Sequence, residues 1–393
     1  MILLTAVGLV SCLLAWSLAP LTVRLAHKVG AMDFPGGRKI HRVPTPRLGG
    51  LAVFMPGALC LLGLLVARPI VHHQYEFAGR LWPALLLGAT LIYALGLYDD
   101  LVTLGVGSKM LVQTVAAAIV IVFGGFRVFG PSGMPIASSG WVAIILSFLW
   151  VVGVTNAFNL IDGLDGLAAG MGILAAGFAL VALTIGKTQD LPASLALAAS
   201  GGLLLGFLPR NLHPAREFLG NNGSLTVGYI LSVLVLGSRP VSGTRWMLTA
   251  LVVAVPLFDT AMCVIRRLWV RVAAERRLQP SALFSVVISD RAHIHHRLLD
   301  AGIPHGRAVL LLDGLALFCG LLFLSALLAG GVPALVTAWL LAGIAFLLLW
   351  CLPHFPPWRG AAARSTFRHS SGQRETGIIR CSRCSYQSNR QPL

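Results

Sequence analysis

Fourteen acidic residues are spread through a chain of 393, and several of them fall into patterns that can do chemistry. In NAFNLIDGLDGLAAG, which begins at Asn156, Asp162 and Asp165 stand three residues apart, and Asn156 and Asn159 repeat that spacing. On a helix each pair would share a face. The stretch then offers two carboxylates to one cation, and amides whose oxygens suit a metal or whose NH₂ groups suit a base or sugar. Its glycines permit close approach of a helix or a ligand, and its spacing is not that of an EF-hand. In GLYDDLVTLGVGSK, Asp99 and Asp100 are adjacent. Neighbouring carboxylates stay ionised together mainly beside a cation, and Mg²⁺ is the cation that bridges protein carboxylates to phosphate oxygens.

Basic and polar segments complement these acids. AMDFPGGRKIHRVPTPRLGG sets Arg38, Lys39, His41, Arg42 and Arg47 among prolines and glycines, which shape a loop rather than leave it slack. Such a loop suits phosphate groups. In SDRAHIHHRLLDAG a helix would place His293, His296 and Arg297 on one face; together with His295 and Arg291 they read as phosphate ligands in preference to zinc ligands. NLHPAREFLGNNGSLTVGY carries a glycine-bounded turn at 220–223, after which Ser224 would cap a helix whose N–H groups face an anion. Asp259, in VPLFDTAMCVIRRL, lies about two turns inside the membrane end marked by Arg266 and Arg267, and an ionisable group so placed is a functional candidate.

The elements that must hold these residues are membrane helices. Of the chain, 56% is hydrophobic and 11% charged, against about 25% charged for a soluble domain, so it cannot cover a soluble surface. Apolar runs at 2–23, 48–67, 81–97, 109–126, 138–158, 166–186, 191–209, 224–238, 246–266, 308–329 and 332–352 each approach the ~20 residues that cross a bilayer. This predicts an all-α polytopic protein of 10–11 transmembrane helices, its first span a retained helix rather than a signal peptide. With residue 1 outside, 24 of the 30 Lys and Arg fall in the loops 24–47, 98–109, 209–223 and 266–307 and in the tail after 352. That is the positive-inside pattern: N-terminus outside, C-terminus cytoplasmic. It also accounts for the net charge of +16 with no nucleic-acid partner. Eleven of the acids, Asp99, Asp100, Asp162 and Asp165 among them, map to the same inner side, which suits a cation-dependent site there. The expected organisation is a membrane domain over 1–352 and a polar, disordered tail over 353–393. That tail holds one CxxC, Cys381 and Cys384, short of the four ligands a zinc site needs. No internal repeat is visible, unlike many transporters.

Taken in order, RKIHRVPTPRLGG, LGLYDD, NAFNLIDGLDGLAAG, FLGNNGS, PLFDT and HIHHRLL resemble the polyprenyl-phosphate N-acetylhexosamine-1-phosphate transferase family, and the first and last look like its GlcNAc-1-phosphate branch. The stretches run through residues 33–299. The resemblance implies transfer of a sugar-1-phosphate from a UDP-sugar to a polyprenyl phosphate such as undecaprenyl phosphate. UMP would be released at the cytoplasmic face of the plasma (inner) membrane, with Mg²⁺ as cofactor and Mn²⁺ as its alternative. It implies that Asp99 and Asp100 handle the metal and the lipid phosphate, that Asn156 lies at the metal or nucleotide, and that Asp162 and Asp165 lie at the nucleotide-sugar. Arg38, Lys39, His41, Asn159 and Asp259 would bind substrate, and His293, His295, His296 and Arg297 would grip phosphate. One departure stands out: Asn221 occupies the place where the family has a metal-binding Asp, keeping an oxygen but losing the charge. A second is the long stretch between Arg267 and His293. A catalytically weakened homologue that binds nucleotide-sugar or lipid phosphate and an anion transporter are the competing readings, and the sequence leaves a homodimer open.

Overall fold

An apolar segment in lipid must satisfy its backbone within itself, and a helix is how a single segment does so. The computed structural model describes residues 1–35, 43–71, 79–128, 140–185, 190–236, 245–275 and 293–354, and the apolar runs within them are helices. In chain order these are α1 (Ile2–Val29), α2 (Gly49–Val71), α3 (Leu81–Leu101), α4 (Val106–Ala118, continued by a π turn at Ile119–Phe123), α5 (Gly140–Ile161), α6 (Leu167–Ile185), α7 (Leu191–Asn211), α8 (Gly220–Leu234), α9 (Arg245–Ala250), α10 (Ala254–Glu275), α11 (Ile294–Asp300), α12 (His305–Ala329) and α13 (Gly331–Cys351). Ten helices among the described residues are long and apolar enough to cross a membrane. The all-α polytopic expectation is met. Arg38, Lys39, His41, Arg42, Arg291, nearly all of the tail and its CxxC lie outside the described residues.

α8 answers to the eighth predicted span, 224–238, but is only 15 residues long, ~22 Å against ~30 Å of hydrocarbon. It tolerates that shortfall because it is interior: it packs chiefly on α3 and α5, then on α2, α6 and α7, and twelve of its residues are buried. Between helices in lipid, close packing of small residues replaces the hydrophobic drive. The α1–α7 crossing shows it: a Cβ at Gly202 or Gly206 would run into the backbone carbonyls of Gly8 or Cys12.

Two predicted element ends are corrected. Ser224 does not cap α8, because the helix starts one turn earlier at Gly220; an anionic side chain from α3, described below, supplies the cap instead. Asp162 and Asp165 do not share a helical face. α5 runs on to Ile161 and α6 begins at Leu167, so both acids sit in the connecting turn, where Gly163 N–H bonds back to Ile161 O and Gly166 takes φ +84°.

The segment after the first helix is tied down. Met32–Asp33 (β1) pairs antiparallel with Thr45–Pro46 (β2), which closes the basic loop at its base. The strand then zips onto the segment before α8: Phe218 N–H donates to Pro46 O, Gly49 N–H to Phe218 O and Gly50 N–H to Leu219 O, at 2.8, 3.1 and 2.9 Å.

Candidate active site

The site starts at the end of α3. Adjacent residues on a helix point about 100° apart, and Asp99 and Asp100 diverge accordingly. Asp100 reaches the start of α8, where its carboxylate accepts the N–H groups of Asn221 (3.1 Å) and Asn222 (2.9 Å) and the side-chain amide of Asn222 (2.6 Å). The free N–H groups of a helix N-terminus attract an anion, and here the anion is a side chain of another helix. Arg47 stands beside it, 3.9 Å from the carboxylate, with its guanidinium also on the Asp100 carbonyl and on Asp33 (3.2 Å). Asp99 turns the other way. It forms an ion pair with Lys109 at 2.7 Å, accepts Leu104 N–H at 2.8 Å and accepts the Asn221 amide at 2.7 Å. Close packing fixes this junction: a Cβ on Gly96 would lie 2.5 Å from Asn221 O and Asn222 Cα.

Asn221 is thus a relay in a chain of amides. Its NH₂ serves Asp99, and its oxygen accepts from Asn159 at 2.8 Å, which also donates to Ser224 Oγ at 2.9 Å. Asp, the residue the resemblance leads one to expect at 221, would set a second carboxylate against Asp99 in place of this donor.

These groups open onto a cavity of about 700 Å³ lined by Asp33, Arg47, Asp100, Asn159, Asp162 and Asn221, with Asp165, His213, His296 and His305 further round its wall. The Asp162 carboxyl is pushed well above the usual carboxylate range, by burial first, then by the charge on Asp100, with that of Asp165 adding; contact with the Ser224 hydroxyl pulls the other way. Repulsion among carboxylates around one space is relieved by a proton or a cation. Asp162, Asn159, Asn221 and Asp100 all line that space, and their oxygen-bearing side chains are of the type that suits a hard divalent cation.

Other residues singled out in the sequence fall elsewhere. Asn156 faces α4, where it exchanges hydrogen bonds with Gln113 and donates to Val152 O (2.8 Å); it does not line the cavity. Asp259 is buried on α10 and accepts His293 Nδ1–H and Ile294 N–H, both at 2.7 Å, so it caps α11 away from the cavity. His293 precedes that helix rather than sharing its face with His296 and Arg297. Arg297 lies over the Trp350 ring, 4.4 Å from its centroid, and donates to the Trp350 carbonyl. His295 is buried, with its ring filling the space over Gly163. Burial, then the charges of His296, His293 and His305, holds it well below the ordinary histidine range, so it is a neutral ring and brings no charge to a phosphate. Of the run HIHHR, only His296 lines the cavity.

The fold also recruits residues that sequence patterns passed over. Asp165 Oδ2 is bonded to His213 Nδ1 at 2.7 Å and accepts Ala215 N–H at 3.1 Å, and the His213 and His305 rings stack 4.0 Å apart. A polar residue in each of two loops assigned to the inner side was the only signal for this pair. Lys109 and Asn222 lie within the quoted stretches GLYDDLVTLGVGSK and FLGNNGS but have no role assigned there.

Relatives place this arrangement in a family. The profile of glycosyl transferase family 4 matches residues 82–239. The probable undecaprenyl-phosphate N-acetylglucosaminyl 1-phosphate transferase of Bacillus subtilis is 37% identical over 319 residues, covering 79% of this chain and 82% of that one. The decaprenyl-phosphate N-acetylglucosaminephosphotransferase of Mycobacterium leprae is 31% identical over 79% of this chain and 80% of its own. A phospho-N-acetylmuramoyl-pentapeptide-transferase of Moorella thermoacetica is similar over a shorter reach, 35% identical over 46% of this chain and 52% of its own. The profile starts in α3, which carries Asp99 and Asp100, and ends just past α8, so it takes in Asp100, Asn159, Asp162 and Asn221 of the cavity wall, while Asp33, Arg47, His296 and His305 lie outside it. At 37% identity over 79% of its length to the Bacillus subtilis protein, and with the profile matching the segments that carry Asp100, Asn159, Asp162 and Asn221, the chain belongs to glycosyl transferase family 4.

Proposed function

We propose that this chain transfers a sugar-1-phosphate, N-acetylhexosamine 1-phosphate in first place, from a UDP-sugar to a polyprenyl phosphate at the cytoplasmic face of the plasma membrane. The observation that carries the reading is one cavity at the ends of apolar helices in which Asp100, Asn159, Asp162 and Asn221 converge beside Arg47. Relatives named for undecaprenyl- and decaprenyl-phosphate GlcNAc-1-phosphate transfer supply the substrate class, and the bias of Lys and Arg toward the loops on this side supplies the orientation.

In the reaction an oxygen of the lipid phosphate attacks the β-phosphorus of the UDP-sugar. The bond from that phosphorus to the bridging oxygen breaks, and UMP departs with the electron pair. Such a transfer asks the protein for alignment and charge neutralisation rather than for covalent chemistry. Arg47, fixed by Asp33 and the α3 terminus, places a cation on the wall where phosphate charge must be met. Asn159 and Asn221 hold each other in one orientation. His296 faces the same space. Mg²⁺ (or Mn²⁺), held by Asp162 with Asp100, Asn159 and Asn221, would neutralise the diphosphate.

UMP release from UDP-GlcNAc, measured on the purified chain with polyprenyl phosphate and Mg²⁺, tests this. Turnover that needs all three components, and that Asp162→Asn lowers ~100-fold or more, an effect of the size of losing one key electrostatic group, is the expected result. Asn221→Asp belongs beside it: no turnover in the native chain with turnover in this variant would favour the weakened homologue instead.

A further inference from the structure

We propose that Asp165, His213 and His305 form a binding site for a Zn²⁺-class transition-metal ion on the cavity wall, distinct from the all-oxygen cluster around Asp162. Three segments contribute one ligand each: the α5–α6 turn, the loop before α8 and the first residue of α12. One ligand atom from each residue lies within 4.8 Å of the others. Asp165 Oδ2 is 2.7 Å from His213 Nδ1 and 3.9 Å from His305 Nε2. Metal bonds of ~2.0–2.2 Å in a tetrahedron set ligand atoms ~3.4 Å apart, so the two Asp165 distances need change by less than ~1 Å, with a turn of the two imidazole rings, to close the site around an ion.

The protonation pattern suits ligation. His305 Nε2 accepts the Asp165 backbone N–H at 3.2 Å, so this nitrogen carries a lone pair beside Asp165, and an ion would take it over from that N–H. His213 Nδ1 lies 2.7 Å from the carboxylate, and a metal ion bound there would displace any proton between them. The two rings stack 4.0 Å apart at 20°, so an ion shared by both in-plane nitrogens requires the rings to turn toward each other. The site has an entry path, because the His213 side chain is 48% exposed and all three residues line the cavity; a fourth coordination position would face that space. Two imidazoles and one carboxylate are a donor set for Zn²⁺ or Co²⁺, whereas Mg²⁺ selects oxygen. An ion there would fasten the turn carrying Asp162 to the loop before α8, and its charge and water would occupy the cavity wall.

The test is calorimetric titration of Zn²⁺ into the full purified chain, without nucleotide or lipid and with Mg²⁺ in excess, followed by visible spectroscopy with Co²⁺. Because no transfer is measured, a failure of the transferase reading leaves the result readable. The groups that could compete for zinc, the tail CxxC and, among the described residues, the buried Asp259–Cys263–His293 cluster, contain thiols. The titration is therefore run on the native chain, on His213→Ala, on His305→Ala, and on a chain with Cys263, Cys381 and Cys384 changed to Ser. One equivalent that survives in the Ser chain, weakens at least ~10-fold in each His variant and gives Co²⁺ bands without thiolate charge transfer supports the site. Binding that persists unchanged in the His variants, that vanishes with the thiols, or that is absent throughout overturns it. Both His variants are checked for an unchanged thermal midpoint without metal, and His213→Gln and His305→Gln replace any that fails.

Discussion

At the scale of single residues, two cavity carboxylates do opposite work, and substitution separates them. Asp100 accepts three hydrogen bonds at the start of α8, so Asp100→Asn removes the anion that holds the α8 N-terminus. The expected cost is ~2 kcal/mol of stability, read as a lower thermal midpoint, together with loss of transfer. Asp162 is the carboxyl that burial and its neighbours make costly to ionise. Asp162→Asn is expected to leave the midpoint level or raise it while transfer falls ~100-fold; a midpoint that drops as far as with Asp100→Asn would contradict this division. The sequence showed that both acids lie near one face of the membrane. It could not show which was already spoken for, because that depends on a helix 120 residues further on. Asn156 and Asn159 make the same point: their spacing was read correctly as helical, but they lie on edges of α5 that meet different partners, Gln113 and Asn221.

At the scale of elements, apolar runs were enough to find the helices, since their length is set by the bilayer, but not where they start. The start of α8 is displaced by one turn because Asp100 caps it, and the turn holding Asp162 and Asp165 escapes helical periodicity because Gly166 takes a left-handed conformation. The α3–α8 contact has no margin at Gly96. Gly96→Val is expected to displace Asn221 and Asn222, cost ~2–3 kcal/mol as overpacking does, and abolish UMP release, whereas Gly153→Ala on α5, where a Cβ meets nothing within 4 Å, is expected to leave both unchanged. Comparing the two thermal midpoints with the two rates checks the contact. His213 and His305 were invisible at this scale, since each lies in or beside a loop with no periodicity to read, and only the folded turn brings both to Asp165.

At the scale of the whole molecule, Glu217 joins the first helix to the rest. It is fully buried, accepts the Thr22 hydroxyl at 2.7 Å and leaves its second oxygen without a partner. Burial pushes its carboxyl up to about 7, against the pull of Thr22 and Arg210. A folded-state value raised above the unfolded 4.5 means the native state favours the protonated form. The stability this gives is fully present below about pH 4.5 and is lost as pH rises through 7. Glu217→Gln should therefore stabilise the protein by up to ~3 kcal/mol at pH 8 and leave it nearly unchanged at pH 5. Midpoints measured at both pH values decide it; an equal gain at pH 5 would show that charge is not the cause.

The short central helix also bears on how such a chain is laid down. Its first turn, Gly-Asn-Asn-Gly-Ser, is polar and its length is below what a bilayer holds unaided, so it is a poor candidate for insertion as it leaves the ribosome. Its main neighbours, α2, α3, α5, α6 and α7, all precede it in the chain. The socket is synthesised before the plug: the Asp100 carboxylate and the Gly96 notch precede the segment that fits them, so α8 is expected to leave water by entering them, with His296 and His305 closing the cavity wall only later in synthesis.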